Sequence, residues 1–467
     1  MKCKIQGWIG NLSFLYLKMQ EWIYRLPDWL FGTLLFAGVC VYWIPAYRAL
    51  YPGTFGYDGP VQMAQYFGER TLSTHHPILH TYFMGMFFSL GKALFDSYTI
   101  GFAIYITVQG LFVAAGLAYA ATVAKRKNLN FLLLAAGILY TIRNPMVQMI
   151  TFSSTKDVLF GVFLLLFSME LINAPKESGK RYYIKLLIFG CLMCLFRNQG
   201  IYILLAILIV AKVLRLCKRE ILVCLISVIA LVGVFNGIVT YGLGIPKGDL
   251  REMLCVPMQQ VSYVVGKHYE ELTAVQLELY KEVIPEDGYK YWVYNSADDI
   301  KSRFLTDELM DNLGAHLINY VELGLKYPED YIYAWKGLIE GYWDTDLMQY
   351  RLLAMTYTFD ELNVYGIEHA GLDDEYHLGL WLATQFEETP WKLQPEMCLW
   401  FGLALLCVAL FRRDRMRMLF LLVYVFYFGT VILGPVALVR YLYPITIASP
   451  MLLALLHKAK EQDNQRF

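Results

Sequence analysis

Two short stretches hold most of the residues that could do chemistry. "YPGTFGYDGPVQMAQ", Tyr51 to Gln65, carries Asp58 and two glutamines, and "STHHPILH", Ser73 to His80, adds three histidines. A carboxylate at a helix start stays ionised because the helix dipole favours the anion, and it can orient or deprotonate an acceptor hydroxyl. The same carboxylate could instead only cap the helix that Gly59–Pro60 opens. His75 and His76 could be interfacial aromatics with polar tips. Without a third ligand at suitable spacing they form a weak metal motif, but beside Asp58 they could bind an anionic head group.

Further candidates sit at the edges of apolar runs: Lys156 and Asp157 in "FSSTKD", Arg197 and Asn198 in "RNQG", and Arg440 in "GPVALVRYLYP". Lys156–Asp157 reads either as a self-paired capping dipeptide or as part of a site. Arg197 could snorkel to the surface, but Asn198 and Gly200 make a sharp polar break suited to lining a cavity. Arg440 is suited to gripping phosphate. Charges at a membrane edge are costly, so these residues, with Gln62 in support, are candidates for function rather than decoration.

The elements that must position them are membrane helices. The 467 residues are 57% hydrophobic and 17% charged, and the apolar residues come in blocks, so the chain reads as an all-α polytopic membrane protein. Its zero formal net charge decides nothing, because the distribution of charge sets orientation. Runs near 29–50, 98–124, 131–150, 157–174, 183–197, 200–216, 220–244, 396–411, 417–436 and 441–457 give about ten transmembrane helices. The basic connections Lys125–Asn128, Lys176–Arg181, Cys217–Glu220 and Arg412–Arg417, and the Lys458/Lys460 tail, then fall on one side, the cytoplasm, with both termini. The candidate residues fall on the other.

Residues 1–28 read as a cytoplasmic or interfacial segment, not a cleavable signal peptide. Pro77 to Phe95 is long enough to cross, but crossing would put Lys125–Lys127 outside, so an amphipathic helix on the outer surface is expected. The core is thus 29–244 with an outer loop 51–97, followed by a small, mostly helical extracytoplasmic domain at 245–395, C-terminal helices at 396–457 and a tail at 458–467. The tryptophans and tyrosines near "YAWKGLIEGYW" suit a return to the membrane interface. Of nine cysteines most lie in apolar runs, and Cys191/Cys194 reads as buried thiols rather than a redox or zinc pair.

"YDGPVQMAQYFGE", "HHPILHTYFMGMFFSLGK", "STKDVLF", "RNQGIY" and "VRYLYP" together resemble the GT-C superfamily of integral membrane glycosyltransferases. The resemblance covers roughly 29–216 and the last spans; the chain has the single Asp58 where many members carry an acidic pair. It implies a GT-C-like bundle, with interfacial helices in the first outer loop, that takes a sugar from a polyprenyl-phosphate carrier and passes it to a cell-envelope glycan, lipid or protein acceptor. By carry-over Asp58 would be the catalytic base, and Arg197, Arg440, His75, His76 and Lys156 would hold the donor phosphate. Asp157, Asn198 and Gln62 would support them, and Asp58 with Asp157 could hold a divalent Mg or Mn ion. No other cofactor and no nucleic acid is implied. Two rivals use similar residues: a transporter or flippase of lipid-linked sugars, for which internal repeats would be expected, and an envelope-glycan polymerase or ligase.

Overall fold

The computed structural model describes residues 18, 20–56, 58–173, 179–343, 364–367 and 395–455. Most of the N-terminal segment, most of 344–394 and the C-terminal tail lie outside the described residues. Among the described residues the chain is helical, with isolated bridges and no strand. The helices of the first part are α1 (Asp28–Leu50), α2 (Gly59–Tyr66), α3 (Ile78–Phe95), α4 (Tyr98–Arg126), α5 (Phe131–Arg143), α6 (Pro145–Thr151), α7 (Asp157–Asn173), α8 (Lys180–Phe196), α9 (Gly200–Val213) and α10 (Arg219–Gly237). Four helical stretches, Asp28–Leu50, Ile78–Phe95, Tyr98–Arg126 and Arg219–Gly242, are long and apolar enough to cross a membrane, and shorter apolar helices stand beside them. This is an all-α membrane protein.

Sequence explains where the helices break. Asn144 ends α5 and starts α6, its side chain accepting from the amides of Met146 and Val147, with Pro145 in the first turn. The expected run 131–150 is therefore two helices, and α8 and α9 are separated at Arg197–Gln199, at the break expected between 183–197 and 200–216. Cys194 is buried, Cys191 half-buried, and both are free thiols.

The two ends of the bundle can be told apart from its contacts. At the start of α1, Asp28 pairs with Lys125 and Arg126 at the end of α4, while near the other end Tyr47 hydrogen-bonds Thr107. α1 and α4 are thus antiparallel, and the connection between them begins and ends at one end of the bundle. α3, despite its length, therefore makes no net crossing between them. It packs obliquely, with His80 against Tyr105 and Gly91 against Gly101. Its placement comes from the even number of crossings that α1 and α4 impose, which hydropathy alone does not reveal.

Asp157, Arg197 and Gly200 lie at the α1 C-terminal end, where Ser154 bonds Gly56, and Lys125 and Arg126 lie at the opposite one, beside Asp28; α9 runs from the first end towards Lys212–Arg219. In the last part, α17 (Pro395–Phe411) and α18 (Arg415–Val431) lead to Arg440, and α19 (Tyr443–Ile447) and α20 (Ser449–Ala454) follow. Tyr443 bonds Thr151 and Ser449 bonds Thr141, which locks this last part against α5 and α6.

Between α10 and α17, six helices, α11 (Cys255–Lys267), α12 (Ala274–Val283), α13 (Asp298–Arg303), α14 (Thr306–Asp311), α15 (Leu313–Lys326) and α16 (Pro328–Ile339), enclose their own apolar cluster, including Met258, Val264, Tyr280, Ile300 and Leu323. Several hydrogen bonds stitch the cluster to the bundle. Thr74 donates to Pro246, Ala297 to Pro435, and Trp335 to Ile432.

α3 and α4 meet where neither has a side chain: a Cβ on Gly91 would lie 2.2 Å from the Gly101 nitrogen. Gly91→Ala is expected to destabilise the chain by about 1–3 kcal/mol, read as a lowered thermal midpoint in detergent. Gly233→Ala, where nothing lies within 4 Å, is expected to leave it unchanged or raise it.

Candidate functional site

The site is assembled by pairing two loops first. Thr54 donates to the Phe152 carbonyl and its own carbonyl accepts from Ser154, while the Ser154 hydroxyl lies within hydrogen-bond reach of both the amide and the carbonyl of Gly56. A Cβ on Gly59 would lie 2.4 Å from Ser154 Oγ, so only glycine allows this approach at the start of α2. The zipped loops bring Asp58 beside Lys156, and the later turns add Arg197 and Arg440.

Lys156 Nζ stands 2.9 Å from Asp58 Oδ2, and Arg440 Nη1 stands 3.5 Å from the same oxygen. Arg440 Nε is 3.7 Å from Asp157 Oδ2, and Arg197 donates through Nη1 to Asp157 Oδ1. Thr155 donates to Asp157 Oδ2 at 2.8 Å. Asp157 is fully buried, and Arg197 and Arg440 nearly so, whereas the Asp58 side chain keeps 26% of its surface exposed. The Arg197 guanidinium also lies between the rings of Phe160 and Tyr441, 5.5 and 5.0 Å from their centroids. Among the described residues, three cations thus face two carboxylates.

These contacts decide between the alternative readings. Asp58 occupies the N-cap position of α2, but its side chain makes no capping hydrogen bond. Lys156 pairs with Asp58, not with its neighbour Asp157. Arg197 is buried, not snorkelled. His76 Nδ1 is 3.4 Å from Lys156 Nζ, and the exposed His75 stacks edgewise on His76 at 4.4 Å. Asn198 stays outside the charged cluster and ties its turn to the histidine loop by donating to the Thr74 carbonyl. Gln62 is buried one turn beyond Asp58, bonded to His80 rather than to a charge.

Asp58 and Asp157 as a divalent-metal pair do not fit this arrangement. The Arg440 guanidinium reaches both carboxylates, and Lys156 and Arg197 take further oxygens. Among the described residues no group of three or more histidine, cysteine or carboxylate side chains is placed to hold a metal ion.

A second buried chain escaped the sequence reading. Gln109 donates to the carbonyls of Thr151 and Ser153, which turns its own oxygen towards Tyr105. Tyr105 donates to that oxygen and so accepts from His80 Nε2. The remaining His80 nitrogen meets Gln62 at 3.0 Å. The chain links the helix that follows Asp58 to the turn that carries Lys156. Its sequence signal is a tyrosine and a glutamine four residues apart on one face of an apolar helix.

The electrostatics follow from the packing. Burial pushes the Asp58 carboxyl up, but Lys156, Arg440 and His76 outweigh it and hold it well below the usual carboxylate range. Burial, with Lys156 adding to it, pushes His76 down to about 3, so the imidazole is neutral at physiological pH. His75, although its side chain reaches solvent, is lowered by partial desolvation, with Glu252 opposing.

A family model described as a family of unknown function, DUF6020, matches residues 68–466. The chain belongs to DUF6020. A crystal structure of ArnT from Cupriavidus metallidurans bound to undecaprenyl phosphate is similar to this DUF6020 chain at 12% identity. The match covers 90% of this chain and 77% of that one, with a TM-score of 0.34, from which no shared fold follows. No curated protein matches.

Asp157→Asn removes the countercharge of two buried guanidinium groups in this DUF6020 chain and is expected to cost about 3–5 kcal/mol, read as a large fall in thermal midpoint. Asn198→Ala should cost no more than about 1.5 kcal/mol.

The histidine gives a pH signature. Folded His76 resists a proton that the unfolded chain accepts below its ordinary value of 6.5, so stability falls as pH drops from 6.5 towards 3. Asp58 acts in the same direction lower down, since its stabilisation is present above 3.8 and is lost as pH falls through its lowered value. The thermal midpoint should fall between pH 7 and pH 5, and less steeply in His76→Gln.

Proposed function

We propose that this chain is a membrane glycosyltransferase with a GT-C-like bundle, which moves a sugar from a polyprenyl-phosphate carrier to a cell-envelope acceptor on the extracytoplasmic face. The observation that carries the reading is the convergence of Asp58, Lys156, Asp157, Arg197 and Arg440, from separate loops, into one buried cluster of cations and carboxylates. The resemblance of the motifs around these residues to GT-C enzymes supports it. So does the position of the cluster, at the bundle end away from Lys125–Lys127 and Lys212–Arg219, which the positive-inside rule makes the outer end.

The chemistry asks little of the protein beyond charge and position. The bond between the sugar's anomeric carbon and the phosphate oxygen breaks, and a bond from the acceptor oxygen to that carbon forms. The carrier leaves as a phosphate monoester with one more negative charge than it had in the donor. Lys156 and Arg440 meet that growing charge, and preorganised cations at such a point give the largest catalytic term. Arg197, held by Asp157 and two aromatic rings, keeps the cation framework in place.

Asp58 orients the acceptor hydroxyl. Its lowered pKa makes it a weak base, so it takes the acceptor's proton late, after bonding to the anomeric carbon has acidified the oxygen. His76 stays neutral and offers a hydrogen bond without adding a titrating charge. Lys156 and Arg440 carry the phosphate.

The test is the full-length protein in nanodiscs, given synthetic polyprenyl-phosphate sugars and an envelope-lipid acceptor fraction, with free polyprenyl phosphate and glycosylated product measured. Asp58→Asn is expected to bind carrier but lose transfer by about 10²–10⁴-fold, and Arg440→Met to weaken carrier binding. Undiminished transfer by Asp58→Asn would remove it from the mechanism. Carrier-linked sugar that crosses liposomes without chemical change would favour a flippase, and products with many added units a polymerase.

A further inference from the structure

The helix α15 is amphipathic in the wrong sense for water. The side turned to its own protein carries His316, Asn319, Tyr320 and Leu323. His316 Nε2 lies 3.3 Å from Glu282 Oε2, and the Tyr320 hydroxyl donates to Gln260 at 2.7 Å. Asn319 is 6% exposed. The side turned outward carries Leu317, Ile318, Val321 and Leu325, exposed to 55, 62, 54 and 79%, with Glu322 exposed at its edge. Residues 317, 321 and 325 recur every fourth position and so form one stripe along the helix. A helix surrounded by water places its polar residues outward; polar residues turned in towards protein with apolar ones turned out is the arrangement of a helix facing lipid.

The neighbouring elements extend the stripe towards the membrane helices. α16 packs on α15 through Tyr331 against Tyr320 and Gly324, and it exposes Ile332 and Tyr333. Its Trp335 donates to the carbonyl of Ile432, just past the end of α18, and the next residue, Leu433, is exposed as well. Tyrosine and tryptophan at such a junction suit the boundary between acyl chains and head groups.

We infer that the outward face of α15, with Ile332 of α16, is an interfacial membrane anchor that seats the outer helical cluster on the chain's own bilayer. A partner protein or a second copy of the chain would also cover apolar surface. Lipid is favoured because the stripe runs on, through Trp335 and Leu433, into the end of a membrane helix, and because Lys326 and Lys336 at its margins can meet anionic head groups. The inference does not depend on the glycosyltransferase reading.

The test places nitroxide labels singly at Leu317→Cys, Val321→Cys and Leu325→Cys in a cysteine-free full-length chain, in nanodiscs of phosphatidylethanolamine and phosphatidylglycerol. Collision with dissolved oxygen should exceed collision with a water-soluble nickel chelate several-fold more at these positions than at the water-exposed Glu278→Cys. Nickel-dominated collision at all three, or dipolar broadening between labels on two chains, would overturn the anchor. The unsubstituted protein gives a second measurement. A phospholipid with a photoactivatable acyl chain should crosslink to peptides of 313–326, and its failure to do so while labelling α10 would count equally against the proposal.

Discussion

A buried guanidinium is tolerable only with its countercharge in place, and Arg440 imposes that condition on the whole end of the bundle where it lies. It sits between Asp58 and Asp157, two carboxylates from different loops, and removing either would leave positive charge stranded in a poorly hydrated place. Arg197 repeats the condition at Asp157 from a third loop. The helices therefore cannot slide along one another freely, because the last turn before α19 is fixed to the first loop by charge. Uncharged contacts reinforce this, from the Thr54–Ser154 zipper to the Thr151–Tyr443 bond.

Geography was the most legible part of the sequence. Once apolar runs are taken as crossings, polar residues at alternate edges must collect at one end, and "GYDG", "STKD", "RNQG" and "VRYLYP" do collect there. Partner choice was not legible. Lys156 and Asp157 are neighbours in sequence, yet Asp157 starts a helix and points into the bundle while Lys156 reaches across to Asp58. That outcome depends on the turn Thr155 makes, not on charge pattern. The breaks at Asn144 and Ala448 were equally hidden within apolar runs, where composition says only that the chain is buried.

The His80 chain shows a different limit. Tyr105 and Gln109 stand out in an otherwise apolar helix, so a polar role could be read for them, but their partners lie on a loop and a helix far away in sequence. The helical character of the segment that holds α15 was legible. Which of its faces meets protein depends on α11 and α12, and no local pattern reveals that.

For the glycosyl transfer proposed above, the pairing of Lys156 and Arg440 with Asp58 would also bear on turnover. An enzyme whose cations waited bare would hold its spent anionic carrier tightly and be slow to let it go. In the proposed enzyme the resident carboxylate would reclaim both cations, a built-in competitor that would lower the site's grip on phosphate once the sugar had left.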